Sequence, residues 1–94
     1  MVGGAAEPEE DVVLTTVDAR GVATVTLNRP HVFNGYNAAL LTRLAESLAS
    51  LEADADVRVV VLRGAGQHFS AGADVNWFKE LAAASDAERS GANS

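Results

Sequence analysis

The spacing of hydrophobic residues near the start of the chain predicts two strands. Residues 12–17 and 22–27 are rich in β-branched side chains, and the segment 18–21 between them ends in glycine. This pattern is typical of a β-hairpin closed by a short turn. Alternation places one apolar set on a single face of the second strand: Ala23, Val25 and Leu27.

The next hydrophobic pattern has the period of a helix. It follows residues 28–37, the first loop, in which Pro30 and Gly35 interrupt any regular structure. Leucines three or four residues apart then predict an amphipathic helix that begins after Asn37, ends near residues 54–56 and buries its apolar stripe. The stripe consists of Leu40, Leu41, Leu44, Leu48 and Leu51.

The third predicted strand, residues 57–63, does not alternate. Its centre, residues 59–62, reads Val-Val-Val-Leu. A strand that is apolar on both sides is typical of a parallel sheet covered on both faces. Together with the preceding strand and helix it predicts a βαβ unit, and hence an α/β fold whose exposed strand would need a further covering layer.

A second loop, residues 64–74, leaves this strand and leads to a short helix predicted over about 75–84. Both loops leave parallel strands at the same edge, where open α/β sheets bind ligands, so we expect them to lie side by side. The short helix is expected to bury three large side chains: Trp77, Phe78 and Leu81.

Composition excludes several classes of protein. The chain has 94 residues, a net charge of −6 and no cysteine, which argues against a nucleic-acid interface, disulfides and thiolate catalysis. Without a basic, apolar leader or a long apolar run, we expect a soluble cytoplasmic protein with no membrane partner. Because His31 and His68 lack carboxylates at ligand spacing, no metal site is predicted.

The second loop admits several chemistries. Gly64 and Gly66 begin the dinucleotide-binding pattern G-x-G-x-x-G, but Phe69 occupies the last glycine position, and no P-loop follows. A nucleophile elbow would make Ser70 the nucleophile of a serine hydrolase, but His68 stands where the first glycine should be.

Two further interpretations of this loop remain open. The small residues 71–73 let a ligand approach the main chain, whose N–H groups can hold a developing oxyanion, a contribution of roughly 2.7–4 kcal/mol per donor. Alternatively, the loop is only a tight connection in which Asp74 caps the following helix.

Three segments in order resemble the amino-terminal part of the crotonase (enoyl-CoA hydratase/isomerase) superfamily, over about residues 12–81. They are VATVTLNRPHVFNGYN at 22–37, the leucine helix, and DVRVVVLRGAGQHFSAGAD at 56–74. The stretch GADVNWF at 72–78 resembles the methylglutaconyl-CoA hydratase branch. The resemblance implies the first part of a ββα spiral at residues 12–84. Composition without periodicity predicts a mobile acidic tail at 1–11 and a polar tail at 85–94.

The resemblance also implies roles for residues of the second loop. The backbone N–H of Ala73 would form one half of an oxyanion hole for an acyl-CoA thioester. Ala71 would contact the CoA adenine through its main chain, and Gly72 would permit that close approach. Asp74 and Val75 would border the acyl pocket.

Residues of the first loop would flank the CoA: His31, Val32 and Phe33, with Gly35 close by. Beyond the CoA moiety of the substrate, no cofactor is implied. Family members assemble as trimers or hexamers, so the resemblance also implies such an assembly for the whole protein.

The sequence departs from the family pattern at the phosphate-binding positions. Lysines common there are replaced by His31, Gln67 and Asn76, which leaves Arg29 as the candidate cation. The second oxyanion donor and the catalytic glutamates belong to later segments of the family, and Glu80 and Glu88 do not match them.

The leading prediction is therefore an N-terminal fragment of an acyl-CoA hydratase that supplies CoA contacts and one oxyanion donor. Because it lacks the catalytic acid and base, these 94 residues alone should be inactive. The alternatives are a stand-alone CoA-binding or docking module and, less favoured by the motif, the hydrolase at Ser70.

Overall fold

A computed structural model describes residues 11–92, with side chains described through residue 84. The predicted acidic tail at 1–11, apart from Asp11, and the last two residues of the predicted polar tail lie outside this range. The regular elements, in chain order, are β1 (Val13–Val17), β2 (Val22–Leu27), α1 (Ala38–Glu52), β3 (Val59–Gly64) and α2 (Val75–Ala92).

The predicted hairpin is confirmed, and its turn explains why it closes where it does. β1 pairs antiparallel with β2. The side chain of Asp18 accepts the backbone N–H groups of Arg20 and Val22 at 2.9 and 3.1 Å. Gly21 adopts a φ of 83°, which a residue without Cβ reaches at little cost.

The predicted βαβ unit is confirmed as well. The sheet order is β1-β2-β3, and β2 runs parallel to β3, with Val22 opposite Val59 and Leu27 opposite Gly64. The carboxyl ends of β2 and β3 therefore meet at one edge of the sheet. The first loop, which includes a 3-10 turn at Pro30–Val32, and the second loop both start from this edge.

The core lies between α1 and the first two strands. The Asn37 side chain caps α1 by accepting the N–H of Leu40 at 3.0 Å. The predicted apolar face of β2 is confirmed, because its three side chains are at most 5% exposed. The buried hydrophobic residues are Val12, Val13, Ala23, Val25, Leu27, Leu40 and Leu51.

The leucine stripe of α1 is buried only in part, so the prediction that all five leucines are buried is wrong. Leu40 and Leu51 are buried and Leu44 packs against the core, but Leu41 and Leu48 are about 40% exposed. The five positions span more of the helix circumference than a face of β1 and β2 can cover, because α1 packs chiefly on these two strands.

The prediction that β3 is apolar on both sides and would need a further covering layer agrees with the described part of the chain. Its four central side chains are 42–53% exposed, although all are apolar. β3 is an edge strand, and neither α1 nor α2 packs extensively on it. The affected residues are Val59, Val60, Val61 and Leu62.

Helix α2 differs from its prediction in length and in burial. It extends to Ala92 rather than about residue 84, because its alanine-rich sequence favours helix despite its polarity. Much of the predicted polar tail is thus helical. Phe78 and Leu81 are 62% and 49% exposed rather than buried, since α2 leads away from the sheet. Trp77 is half-buried, edge-on against Tyr36.

Candidate functional site

The two loops lie side by side, as predicted. Tyr36 and Ala73 form a parallel bridge, in which the Tyr36 N–H donates to the Gly72 carbonyl at 2.9 Å. The Asp74 N–H donates to the Tyr36 carbonyl at 2.8 Å. Farther out, the N–H of Ala71 donates to the carbonyl of Phe33 at 2.9 Å. The pairing of β2 and β3 is thus continued by their loops.

This pairing determines the direction of the Ala73 amide. Because Gly72 and Asp74 bond to Tyr36, the N–H and carbonyl of Ala73 between them point away from Tyr36, as alternate residues of a strand do. Within residues 11–92 the structure gives no acceptor for the Ala73 N–H. It is a fixed backbone donor that remains available to a ligand.

A cavity of about 330 Å³ lies beside this amide. Eight of the nine residues assigned to substrate binding or catalysis line it, together with Asn76: His31, Val32, Phe33, Gly35, Ala71, Ala73, Asp74 and Val75. Gly72, the ninth, adopts a φ of 97°, and a Cβ added there would meet nothing within 4 Å. The structure brings these residues together, while their individual roles stay predictions.

Asn34 joins the two loops from a fully buried position. Its side-chain oxygen accepts the backbone N–H of Arg29 at 2.8 Å. Its amide nitrogen donates to the carbonyls of Ala65 and His68, both at 2.8 Å. Asn34 has a φ of 56°, a left-handed conformation that Asn tolerates better than most residues. The side chain therefore fixes the start of the second loop against the first.

Ser70 forms a second link between the loops. Its hydroxyl donates to the backbone carbonyl of Asn34 at 2.8 Å and accepts the N–H of Gly72 at 3.1 Å. A serine nucleophile needs a base to take its proton, but here the proton is directed at a carbonyl. His68 packs its ring edge-on against Phe33 instead. This geometry disfavours the hydrolase alternative.

Asp74 caps helix α2, as one of the two interpretations predicted. Its Oδ1 accepts the N–H groups of Asn76 and Trp77 at 2.9 and 3.2 Å, and its Oδ2 accepts from Arg29 at 3.0 Å. The hydrogen bond from Arg29, and after it the one from Trp77, holds the pKa of Asp74 below its ordinary value of 3.8. The carboxylate is therefore ionised and structurally engaged at neutral pH.

Arg29 does not serve the role suggested for it, that of a cation facing the ligand's phosphates. Only 6% of the residue is exposed, and its guanidinium donates to the Gly35 carbonyl and to Asp74. A buried arginine is stable only where such partners compensate its desolvation. Arg29 instead ties the end of the first loop to the end of the second.

Glu80 lies beside a neighbouring cavity of about 360 Å³ rather than the one that contains Ala73. Arg29, Asp74 and Asn76 also line that neighbouring cavity. Asp74 and Asn76 line both cavities. The side chain of Glu88 lies outside the described side chains. The structure therefore gives Glu80 no place in the cavity that contains the Ala73 amide.

The described residues contain neither a candidate metal site nor a candidate membrane span. No cluster of three or more His, Cys, Asp or Glu side chains could hold a metal ion. No described helix combines the length and apolarity needed to cross a bilayer.

The sequence analysis missed Asn34 and the structural role of Arg29. The Asn-Gly pair at 34–35 is a turn signal, and it marks the left-handed backbone correctly. Nothing in the local sequence, however, indicates that Asn34 bonds to Ala65 and His68, which lie more than 30 positions farther along the chain. The contact from Arg29 to Asp74 spans 45 positions and is equally invisible in a local pattern.

The chain is similar to curated and structurally characterised proteins of one family. The 1,2-epoxyphenylacetyl-CoA isomerase of Escherichia coli K12 is 42% identical over 66 residues, which are 70% of this chain and 25% of that protein. A crystal structure of an enoyl-CoA hydratase from Mycobacterium tuberculosis superposes with a TM-score of 0.67 and 45% identity, covering 70% of this chain and 28% of that one.

A further crystal structure, an enoyl-CoA hydratase from Shewanella pealeana, superposes with a TM-score of 0.72 at 27% identity, over 76% of this chain and 26% of that one. The chain thus spans about a quarter of the length of these relatives. The family model for enoyl-CoA hydratase/isomerase matches residues 18–93. This chain belongs to the enoyl-CoA hydratase/isomerase family, and its fold corresponds to the N-terminal portion of the crotonase fold.

Proposed function

We propose that this chain supplies the CoA contacts and one oxyanion donor of an acyl-CoA hydratase. The observation that carries the proposal is the Ala73 N–H, which points away from Tyr36 and has no acceptor among residues 11–92. Ala73 also lines a cavity of about 330 Å³. A preorganised donor beside a cavity can stabilise the charge that develops on a thioester oxygen.

The cavity walls are suited to the rest of such a ligand. The first loop contributes the small Gly35 and the largely exposed ring of Phe33, and the second contributes the small Ala71. The one carboxylate in the lining, Asp74, is paired with Arg29 and does not present an unbalanced negative charge. His31 also lines the cavity, on the side of the first loop.

The described residues provide charge stabilisation without proton transfer. Hydration of an enoyl-CoA requires a group that delivers a proton and one that activates water. Neither Asp74, which is held ionised by Arg29, nor Glu80, which lines the other cavity, fits that task. We therefore expect the 94-residue chain to bind acyl-CoA but not to hydrate it.

The test is NMR titration of the 15N-labelled 94-residue chain with crotonoyl-CoA and, separately, with free CoA. Both ligands should shift amides of the cavity lining, and only the thioester should shift the Ala73 amide strongly, because only it carries the carbonyl. Shifts that spread elsewhere, or no saturable binding, would refute the proposal. Hydratase turnover near that of a full-length relative would refute the predicted inactivity.

A stand-alone binding or docking module is the second candidate. It requires a cooperative domain, whereas the apolar side chains of β3 and of Phe78 on α2 are 42–62% exposed. Patches of this kind on protein surfaces usually mark contacts with further protein. Thermal unfolding with a hydrophobic dye separates the candidates: the module gives one sharp transition without dye binding in the native state.

Two finer assignments belong with the proposal and need their own measurements. The methylglutaconyl-CoA branch is inferred from GADVNWF alone and would be tested with that substrate on the whole protein. A trimeric or hexameric assembly is inferred from the family and would be tested by the solution mass of the whole protein.

A further inference from the structure

Ser70 occupies a position between the loop junction and the Ala73 amide. Its hydroxyl is held on one side by the carbonyl of Asn34 at 2.8 Å and holds the N–H of Gly72 on the other at 3.1 Å. No other acceptor for that N–H occurs among the described residues. Ser70 is thus the side chain that connects buried Asn34 to the residue immediately before Ala73.

We propose that Ser70 is a positioning residue, whose hydroxyl orients the Ala73 N–H toward the carbonyl oxygen of a bound acyl-CoA thioester. This inference rests on the function proposed above. Ser70 does not touch the ligand in this account. It acts through Gly72, the residue whose orientation sets the direction of the next amide.

The backbone around Ala73 shows why a positioning group is needed on this side. Asp74 is anchored by its backbone bond to Tyr36, by Arg29 and by its own capping bonds to α2. Gly72 has a φ of 97° and no side chain, so its conformation has little intrinsic preference. Without the Ser70 hydroxyl, the Gly72 N–H would have no described partner, and that side would be restrained by the Tyr36 bond to the Gly72 carbonyl and the Ala71 bond to the Phe33 carbonyl.

Loss of this positioning should reduce only the contribution that the ligand's carbonyl oxygen makes to its affinity. A hydrogen bond to a thioester oxygen depends strongly on distance and angle. A small rotation of the Ala73 amide would weaken that bond while leaving the remainder of the cavity intact. Loss of Ser70 should therefore reduce recognition of the carbonyl without reducing recognition of CoA.

The experiment compares two ligands that differ only at this oxygen: butyryl-CoA, a thioester, and butyl-CoA, the thioether with a methylene in place of the carbonyl. Dissociation constants are measured by calorimetry on the 94-residue chain. The wild type should prefer the thioester by roughly two- to tenfold, the range expected for one net hydrogen bond. Ser70→Ala should remove that preference and leave the thioether affinity within about twofold.

Two further variants control the result. Ser70→Thr keeps a hydroxyl and should retain the preference for the thioester. Ser50→Ala removes the same atom from an exposed position on α1, far along the chain from both loops, and should behave as the wild type. Infrared spectra of butyryl-CoA labelled with 13C at the carbonyl add a direct readout, since a hydrogen-bonded carbonyl absorbs at lower frequency. Ser70→Ala should reverse that shift.

Each outcome decides the matter. A thioester preference and carbonyl shift that persist in Ser70→Ala overturn the positioning role while the proposed function stands. If Ser70→Ala binds both ligands more weakly by the same factor and has a lower melting temperature, the role of Ser70 is merely structural and the positioning role is also overturned. If the wild-type chain binds the thioester and the thioether equally well, the proposed oxyanion role of Ala73 is wrong. If it binds neither ligand, the proposed function itself is wrong.

Discussion

The loop junction around Asn34 and the edge strand β3 are neighbours in the fold, but the junction buries polar side chains whereas the strand exposes apolar ones. Asn34 is fully buried and Arg29 is 6% exposed, whereas the apolar centre of β3 is at least 42% exposed. Among the described residues no buried side-chain nitrogen or oxygen lacks a hydrogen-bond partner, and the side-chain bonds of Asn34 all lie within the two loops. The strand leaves apolar side chains partly in contact with water, which is less favourable than burying them.

This difference separates the geometry of the candidate site, which nearby contacts hold, from the covering of the sheet, which is incomplete in the described residues. The geometry of the Ala73 amide depends on contacts that are all present between residues 29 and 77. The centre of β3, by contrast, is not fully covered by the described residues. Local organisation of a site can thus exist in a fold whose exposed apolar surface is still large.

The strongest test of the junction removes its central side chain. Asn34→Ala leaves the Arg29 N–H and the carbonyls of Ala65 and His68 without their partner, and we expect a loss of about 3 kcal/mol in unfolding free energy. Urea unfolding followed by circular dichroism measures it. Asn28→Ala, which removes a single exposed bond to the Asp11 carbonyl, should lose less than about 1 kcal/mol; equal losses would contradict a special role for Asn34.

A glycine pair distinguishes crowding from backbone conformation in the second loop. A Cβ at Gly64 would collide with the carbonyls of His68 and Phe69, so Gly64→Ala should lose about 2 kcal/mol. At Gly72 there is space, and only the φ of 97° opposes a side chain. Gly72→Ala should therefore lose only about 1 kcal/mol. The same unfolding measurement ranks the two, and the reverse order would show that the loop is packed differently.

The ion pair at the junction predicts how stability depends on pH. The pKa of Asp74 is lowered by Arg29, so its contribution is fully present above the unfolded value of about 3.8 and is lost as pH falls through the folded pKa. Unfolding free energies of the wild type measured between about pH 2 and 6 should fall at the acid end.

Asp74→Asn should flatten that acid decline. Glu46→Gln, which disrupts the exposed pair between Arg43 and Glu46, should leave the decline in place. If Asp74→Asn and the wild type decline in parallel, the carboxylate is not engaged as described.

The smallest expected effect is on the exposed strand. Val61 is 43% exposed, so Val61→Ala should change the unfolding free energy by no more than about 0.5 kcal/mol. Val25, on the buried face of β2, is fully buried, and Val25→Ala should lose about 2 kcal/mol. Measuring both variants at two protein concentrations sharpens the comparison. A large, concentration-dependent loss for Val61→Ala would show that copies of the chain cover β3 in solution.

Periodicity predicted the strands and helices well because the side chains on one face of a strand or helix recur at a fixed spacing in the local sequence. The apolar face of β2 and the leucines at the two ends of the α1 stripe followed from alternation and helical spacing. The meeting of the two loops also followed, since parallel neighbours place their carboxyl ends at the same edge.

The misses arose where the outcome depends on distant partners. The spacing of β3 correctly indicated two apolar faces but could not show whether anything covers them. Arg29 carries a charge whose direction is decided by Asp74, far away in sequence. The predicted α2 is too short for a different reason, because the polar residues of its second half hide the helix propensity of its alanines.

The bridge between Tyr36 and Ala73 makes the site sensitive to whether a change in loop length is odd or even. Successive amides in that segment point to opposite sides, so inserting one residue between Ser70 and the bridge would turn a different amide outward. Inserting two would restore the alternation, while changes between residues 64 and 70 would leave it untouched. Residues between Ser70 and Asp74 can be substituted as long as the new side chains are small. The direction of the outward amide therefore depends on whether the number of residues between Ser70 and Asp74 is odd or even.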